Sequence, residues 1–157
     1  MRFSCFLFLT CFAINVIAQE APRKIELLHA NELQYNEKQT GKVRRLLGDV
    51  QFKHDDVLMF CDSAWLYSET NTMDAFSKVH IKQGDTLDLW GDKLNYNGNT
   101  KLAVVTGNVI LIDKEIKLTT DRLTYDRVSG ISNYTTGGKI VQKEDTLTSI
   151  FGYYYSG

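Results

Sequence analysis

The residues whose types could do chemistry are three histidines, His29, His54 and His80, a pair of acids, Asp92 and Asp121, and the cysteine Cys61. The histidines show no metal-ligand spacing and have no cysteine partners nearby, so no metal site is read here. Asp92 and Asp121 hold the same position in two copies of a repeated segment. On alternate strands of an antiparallel meander they would stand two strand spacings, roughly 10 Å, apart. That is beyond the ~6.5–9.5 Å of an inverting glycosidase pair. Asn31 and Ser63 occupy the same place in other copies, so one role at a turn or bend accounts for all four residues; calcium binding is the rival reading. No G-x-S-x-G elbow and no phosphate-cradling loop of the Walker type occurs. Cys61 sits in the apolar run VLMFC and reads as a buried thiol rather than a reactive one. The chain therefore reads as neither an enzyme nor a cofactor carrier.

Composition narrows the classes further. The chain has 157 residues, 43% of them hydrophobic and 24% charged, with a formal net charge of −1. That suits one domain with a real core, and neither a disordered acidic tail nor a basic nucleic-acid binder. The only proline is Pro22, as expected where nearly every backbone donor is committed to a strand ladder. Met1-Arg2, the apolar run Phe3 to Ile17 and the small residue Ala18 form the three parts of a secretory signal. The run is shorter than the ~20 residues that span a bilayer, and Leu9-Thr10 before Cys11 is a poor lipidation signal. The expected division is a signal peptide over 1–18, a linker over 19–24 and one domain over 25–157, exported across the inner membrane.

The elements that position these residues repeat. Tyr67, Tyr96, Tyr125 and Tyr154 follow at 29-residue steps, and LDLWGDKLNY (87–96) aligns with IKLTTDRLTY (116–125). Apolar residues recur seven before each tyrosine, at Phe60, Leu89, Leu118 and Leu147, and two before at Trp65, Leu94 and Leu123. After each tyrosine come a polar turn and then GDV (48–50), SKV (77–79), GNV (107–109) or GKI (138–140). Inside a unit the period is two, with many Val, Ile, Thr and Tyr, and Asn97-Gly98 is a hairpin signal. Each unit is read as two strands and two tight turns, giving an antiparallel meander of nine or ten strands. A parallel solenoid with one coil per repeat is the rival architecture.

Residues two apart share a face of a strand. That places Val50, Phe52, Leu58, Phe60, Val79, Ile81, Leu87, Leu89, Val109, Leu111, Ile116 and Leu118 on one inward face. Gln51, Lys53, His80, Lys82, Asp88 and Lys117 face water. The pattern alone fits a dry sandwich core as well as a lipid-binding groove. A meander that does not close leaves its first and last strands unpaired, here residues 24–35 and 147–155.

With GDVQF, GNVILI and the D-x-L-x-Y segments at Asp92–Tyr96 and Asp121–Tyr125, repeated over residues 25–155, the chain resembles the OstA-like (LptA-like) family. The resemblance implies an all-β, open two-sheet β-jellyroll in the periplasm whose inner face holds the acyl chains of lipopolysaccharide. It also implies partners, namely other β-jellyroll domains of lipopolysaccharide transport or further copies head to tail, joined through edge strands. The twelve inward residues are then the lipid-binding set. Ser77 departs from the family's glycine, and the last unit is degenerate. The rival function is a structural or adaptor repeat that assembles through its edges without lipid.

Overall fold

The computed structural model describes residues 23–35 and 43–156; the expected signal peptide and residues 19–22 of the linker lie outside them. Twelve strands follow in chain order: β1 (Glu26–His29), β2 (Glu32–Tyr35), β3 (Val43–His54), β4 (Val57–Tyr67), β5 (Thr72–Gln83), β6 (Leu87–Asn97), β7 (Leu102–Asp113), β8 (Ile116–Asp126), β9 (Ile131–Tyr134), β10 (Gly138–Gln142), β11 (Asp145–Ser149) and β12 (Gly152–Tyr155). Every pairing is antiparallel, in the order β1-β3-β4-β5-β6-β7-β8-β10-β11, with β2 on β3 and β9 between β8 and β12. A one-coil solenoid is thereby set aside. The six short strands form three pairs, β1 with β2, β9 with β10 and β11 with β12, and each pair lies along one neighbour as a strand interrupted midway. Counted that way the meander has nine bent strands.

The bends come from left-handed backbone. Gly48-Asp49, Ser77-Lys78 and Gly107-Asn108, in the middle of β3, β5 and β7, are consecutive residues with positive φ, and the ladder register shifts at each. An extra residue of this kind bends the strand and raises its twist. The G-x-V signature of the sequence is thus the corner of the fold. Asn31 and Asp92 lie against it: the Asn31 amide donates to the Gly48 carbonyl at 2.9 Å, and Asp92 Oδ2 accepts from Asn108 Nδ2 at 2.8 Å. Gly107, at φ +79°, has no room for a Cβ because Asp92 fills the space. Gly107→Ala combines left-handed strain of about 1–2 kcal/mol with that clash. It is expected to lower the urea midpoint more than Gly84→Ala, a loop glycine with open space around it.

Beyond the corner each strand continues into a second layer. The first arm contains residues 43–47, 63–67, 72–76, 93–97, 102–106 and 122–126 with β2, β9 and β12. The second contains 50–54, 57–61, 79–83, 87–91, 109–113 and 116–120 with β1, β10 and β11. The corners form a closed spine, and the hairpin turns form two lips that face one another across a mouth. Between the arms lies one apolar core. Cys61, 5% exposed, is part of it, and burial pushes its thiol up to about 12.

Candidate functional site

The space between the arms is lined as the alternation requires in most strands. Val50, Phe52, Val79, Ile81, Leu87, Leu89, Val109, Leu111 and Leu118 are buried on the inner face of the second arm, and Ile116 lies on the same face, half-buried beside the mouth. Leu58 and Phe60 do not. Phe52 pairs with Met59 and Val50 with Cys61, while Lys53 pairs with Leu58 and Gln51 with Phe60. Directly opposed residues share a face, so Val57, Met59 and Cys61 point inward and Leu58 and Phe60 outward. The physical reason is a one-residue slip, which moves a whole strand's side chains to the other face. The 29-residue step holds from β6 to β8, but β4 matches β6 at a step of thirty: Leu66, not Tyr67, shares the cross-strand row of Met73 and Tyr96. By the same offset the acidic corner residue of β4 is Asp62, which pairs with Lys78 at 3.3 Å, and not Ser63.

Alternation in the second arm alone also missed half of the lining. Leu46, Ala64, Leu66, Met73, Leu94, Val105 and Leu123 cover the inner face of the first arm and are buried. Leu94 and Leu123 had already stood out as repeated positions.

The mouth is closed by polar side chains, and the repeated tyrosines supply them. Arg127, with 3% of its side chain exposed, donates from Nη1 to Tyr96 Oη at 2.6 Å and from Nη2 to Asp56 Oδ1 at 2.7 Å. The Tyr96 hydroxyl donates to His54 Nδ1 at 2.7 Å, and His54 Nε2 donates to the Arg23 carbonyl at 3.0 Å. These partners fit the histidine tautomer with its proton on Nε2. Further along, Tyr125 donates to Gln83 at 3.0 Å and Tyr154 to Asp113 at 2.9 Å. Burial raises the phenol pKa of all three tyrosines. Thus Tyr96, Tyr125 and Tyr154 are three rungs joining the two lips, whereas the Tyr67 hydroxyl donates to Asp74 on its own arm at 3.1 Å. Beside the middle rung a polar recess of about 350 Å³ opens between Gln83, Thr86, Asp113, Arg127 and Ser129.

At the β1 end, Asn71 holds the Ile25 amide and the Arg23 carbonyl, and Lys101 Nζ lies 2.7 Å from Asp55. The Lys101 contact is the main cause holding the Asp55 carboxyl below its ordinary value of 3.8. A depressed folded pKa adds stability that is full above the unfolded value and is lost as pH falls through the folded one. Asp55→Asn is therefore expected to flatten the acid side of a thermal-midpoint profile below about pH 4, leaving its slope near neutrality unchanged.

A sheet bent along a spine, with a continuous apolar interior and a side-chain-bonded mouth, defines an open β-jellyroll built of hairpin repeats. Within that class the chain belongs to the OstA-like protein family, whose sequence profile matches residues 22–157. The family connects it to lipopolysaccharide transport and is typically periplasmic. A search of curated proteins returned no match.

Proposed function

We propose that the protein carries or bridges lipopolysaccharide towards the outer membrane, holding its acyl chains between the two arms. The observation that carries this reading is the way the mouth is held. Among the described residues, side chains and the Arg23–Ile25 segment cross it, and no strand ladder does. The arms can part there without breaking a sheet. Parting exposes apolar surface that acyl chains re-cover at about 0.8 kcal/mol per CH₂, or about 9 kcal/mol for a chain of a dozen carbons. The repeated inner face offers neighbouring sites of similar affinity, which transfer along the trough requires. On this reading residues 1–18 export the chain, no catalytic step is involved, and the partners supply the energy.

The outermost strands suit such partners. Among the described residues, β1 and β2 at one end and β11 and β12 at the other each lack a neighbour on one side. Leu147, Phe151, Tyr153 and Tyr155 lie exposed at the second end. Another β-jellyroll domain, or a further copy, would continue the ladder by strand addition. One observation favours the adaptor reading: Phe52, Leu111 and Leu118 are fully buried, so the interior at rest is filled by side chains.

Mass spectrometry of lipids extracted from the protein, purified from a lipopolysaccharide-making host, separates the two. Lipid A species at near-stoichiometric amounts are expected. A folded protein free of lipid, under conditions where cross-linking still joins its edges to a partner, would move the function to the edge strands.

A further inference from the structure

The two ends of the mouth are held differently. At the β1 end Lys101 and Arg127 of the first-arm lip meet Asp55 and Asp56 of the second-arm lip, and the Arg23–Ile25 segment is tied to both lips by Asn71 and His54. Ile25, 7% exposed, joins the core beneath that tie. At the β12 end Tyr125 and Tyr154 each cross by one phenol hydrogen bond, to Gln83 and to Asp113. Asp113 lines two recesses there, the one of about 350 Å³ beside Tyr125 and another of about 310 Å³ beside Tyr154. Each has polar walls and includes one apolar residue of the inner face, Leu87 in the first and Ile116 in the second. The apolar interior therefore borders both. Ser132 lies between Tyr125 and Tyr154 in one cross-strand row of the inner face. It is wholly buried, and its hydroxyl has no hydrogen-bond partner among the described residues.

We propose that the mouth parts at the β12 end while the β1 end stays shut, and that an acyl chain enters sideways there, leaving its polar head in the recesses. The β1 end combines two cation–carboxylate bonds with a length of main chain, whereas Tyr125–Gln83 is a neutral bond, about half as strong as a charge-assisted one. The unpaired Ser132 hydroxyl is a cost of the closed state that water removes when the lips part. Polar walls over an apolar floor suit a molecule divided in the same way. Its chain follows Leu87 and Ile116 inward, and its hydrogen-bonding head stays with Thr86, Asp113 and Ser129, since burying that head unpaired is costly. The acyl occupant rests on the proposed cargo; the unequal opening does not.

The test is thiol labelling of protein stripped of lipid. Met59 and Leu118, 1% and 0% exposed, lie in one cross-strand row of the inner face, through Ile81, Leu89 and Leu111, and so at one depth below the lips. Met59→Cys and Leu118→Cys are made singly with Cys61→Ala as background, and labelling through global unfolding, taken from each variant's urea curve, is subtracted. The thiol of Leu118→Cys is expected to react about tenfold faster or more, by local opening alone. Leu111→Cys, one strand nearer the middle of the same row, repeats the comparison and should fall between the two. Tyr154→Phe should speed labelling at Leu118→Cys and Ser132→Ala should slow it, both leaving Met59→Cys unchanged. Equal rates along the row, or an equal response to Tyr154→Phe, overturn the unequal opening whatever the cargo. Lipid A is then added, and should protect Leu118→Cys at lower concentration than Met59→Cys. Protection of Met59→Cys first overturns the port but keeps the cargo. Protection of neither, with the lipid-free rates still unequal, overturns the acyl occupant and the cargo reading with it.

Discussion

Leu118→Asp is expected to leave the domain unfolded at neutral pH, with no cooperative transition on heating. Leu118 is wholly buried between Leu111 and Ile140 on the inner face. Truncating such a leucine costs about 3 kcal/mol, and an unpaired buried carboxylate adds a similar or larger desolvation cost. The sum approaches the whole stability of a typical domain, about 5–15 kcal/mol. Leu118→Ala serves as the companion, losing about 3 kcal/mol yet remaining folded. Circular dichroism melts of the two variants check this. A Leu118→Asp protein that melts like the parent would mean that the arms stand apart in solution and that water already reaches this face.

The second large effect is expected at Arg127. Arg127→Met keeps most of the buried stem but removes the donors to Tyr96 and Asp56, a loss of about 2–3 kcal/mol for charged hydrogen bonds. Asp56 is exposed and regains water, whereas the buried Tyr96 hydroxyl keeps only His54. The cost should fall on the mouth. Cys61 reports it, because a 5% exposed thiol pushed up to about 12 reacts only when the interior opens. Labelling at Cys61, followed on its own peptide, is expected to speed up about tenfold or more, since 1.4 kcal/mol corresponds to a factor of ten. Arg127→Lys should not restore the parent rate, because an ammonium cannot span Tyr96 and Asp56 with one planar fork. Unchanged labelling in Arg127→Met would show that the mouth is not the route by which the interior opens.

The sequence made the architecture legible because one pattern was written several times. Period-two alternation, paired breakers and the G-x-V signature led to the meander, to its open ends and to nine or ten strands, of which the structure has nine. The structure divides three of these at the corner. What failed was register in a single strand. VLMFC is apolar on both faces, so alternation could not tell Val57-Met59-Cys61 from Leu58-Phe60, and the 29-residue tyrosine step decided it wrongly. A signal for the correct step was present: SKV and GNV lie thirty residues apart, as do Met59 and Leu89. The mouth was illegible for a different reason. Tyr96, Tyr125 and Tyr154 were visible as a repeat, but their partners His54, Gln83 and Asp113 end strands on the opposite lip, and Arg127, on the tyrosines' own lip, reaches across to Asp56. Contacts across a fold line have no sequence spacing of their own. Nothing in the chain's periodicity pointed to Arg127.

The corners also have a consequence for size. Left-handed pairs occur in β3, β5 and β7, while the side chains that back them, among them Asp62 and Asp92, stand on β4 and β6. The smallest self-consistent addition is therefore a hairpin of about thirty residues, and each such insertion or deletion changes the trough by two strand spacings, about 10 Å. Capacity is thus counted in whole units, as rungs are added to a ladder. On the proposed reading, a chain longer or shorter by one such unit would differ in how many acyl chains fit side by side, with the same corner repeated at each added hairpin.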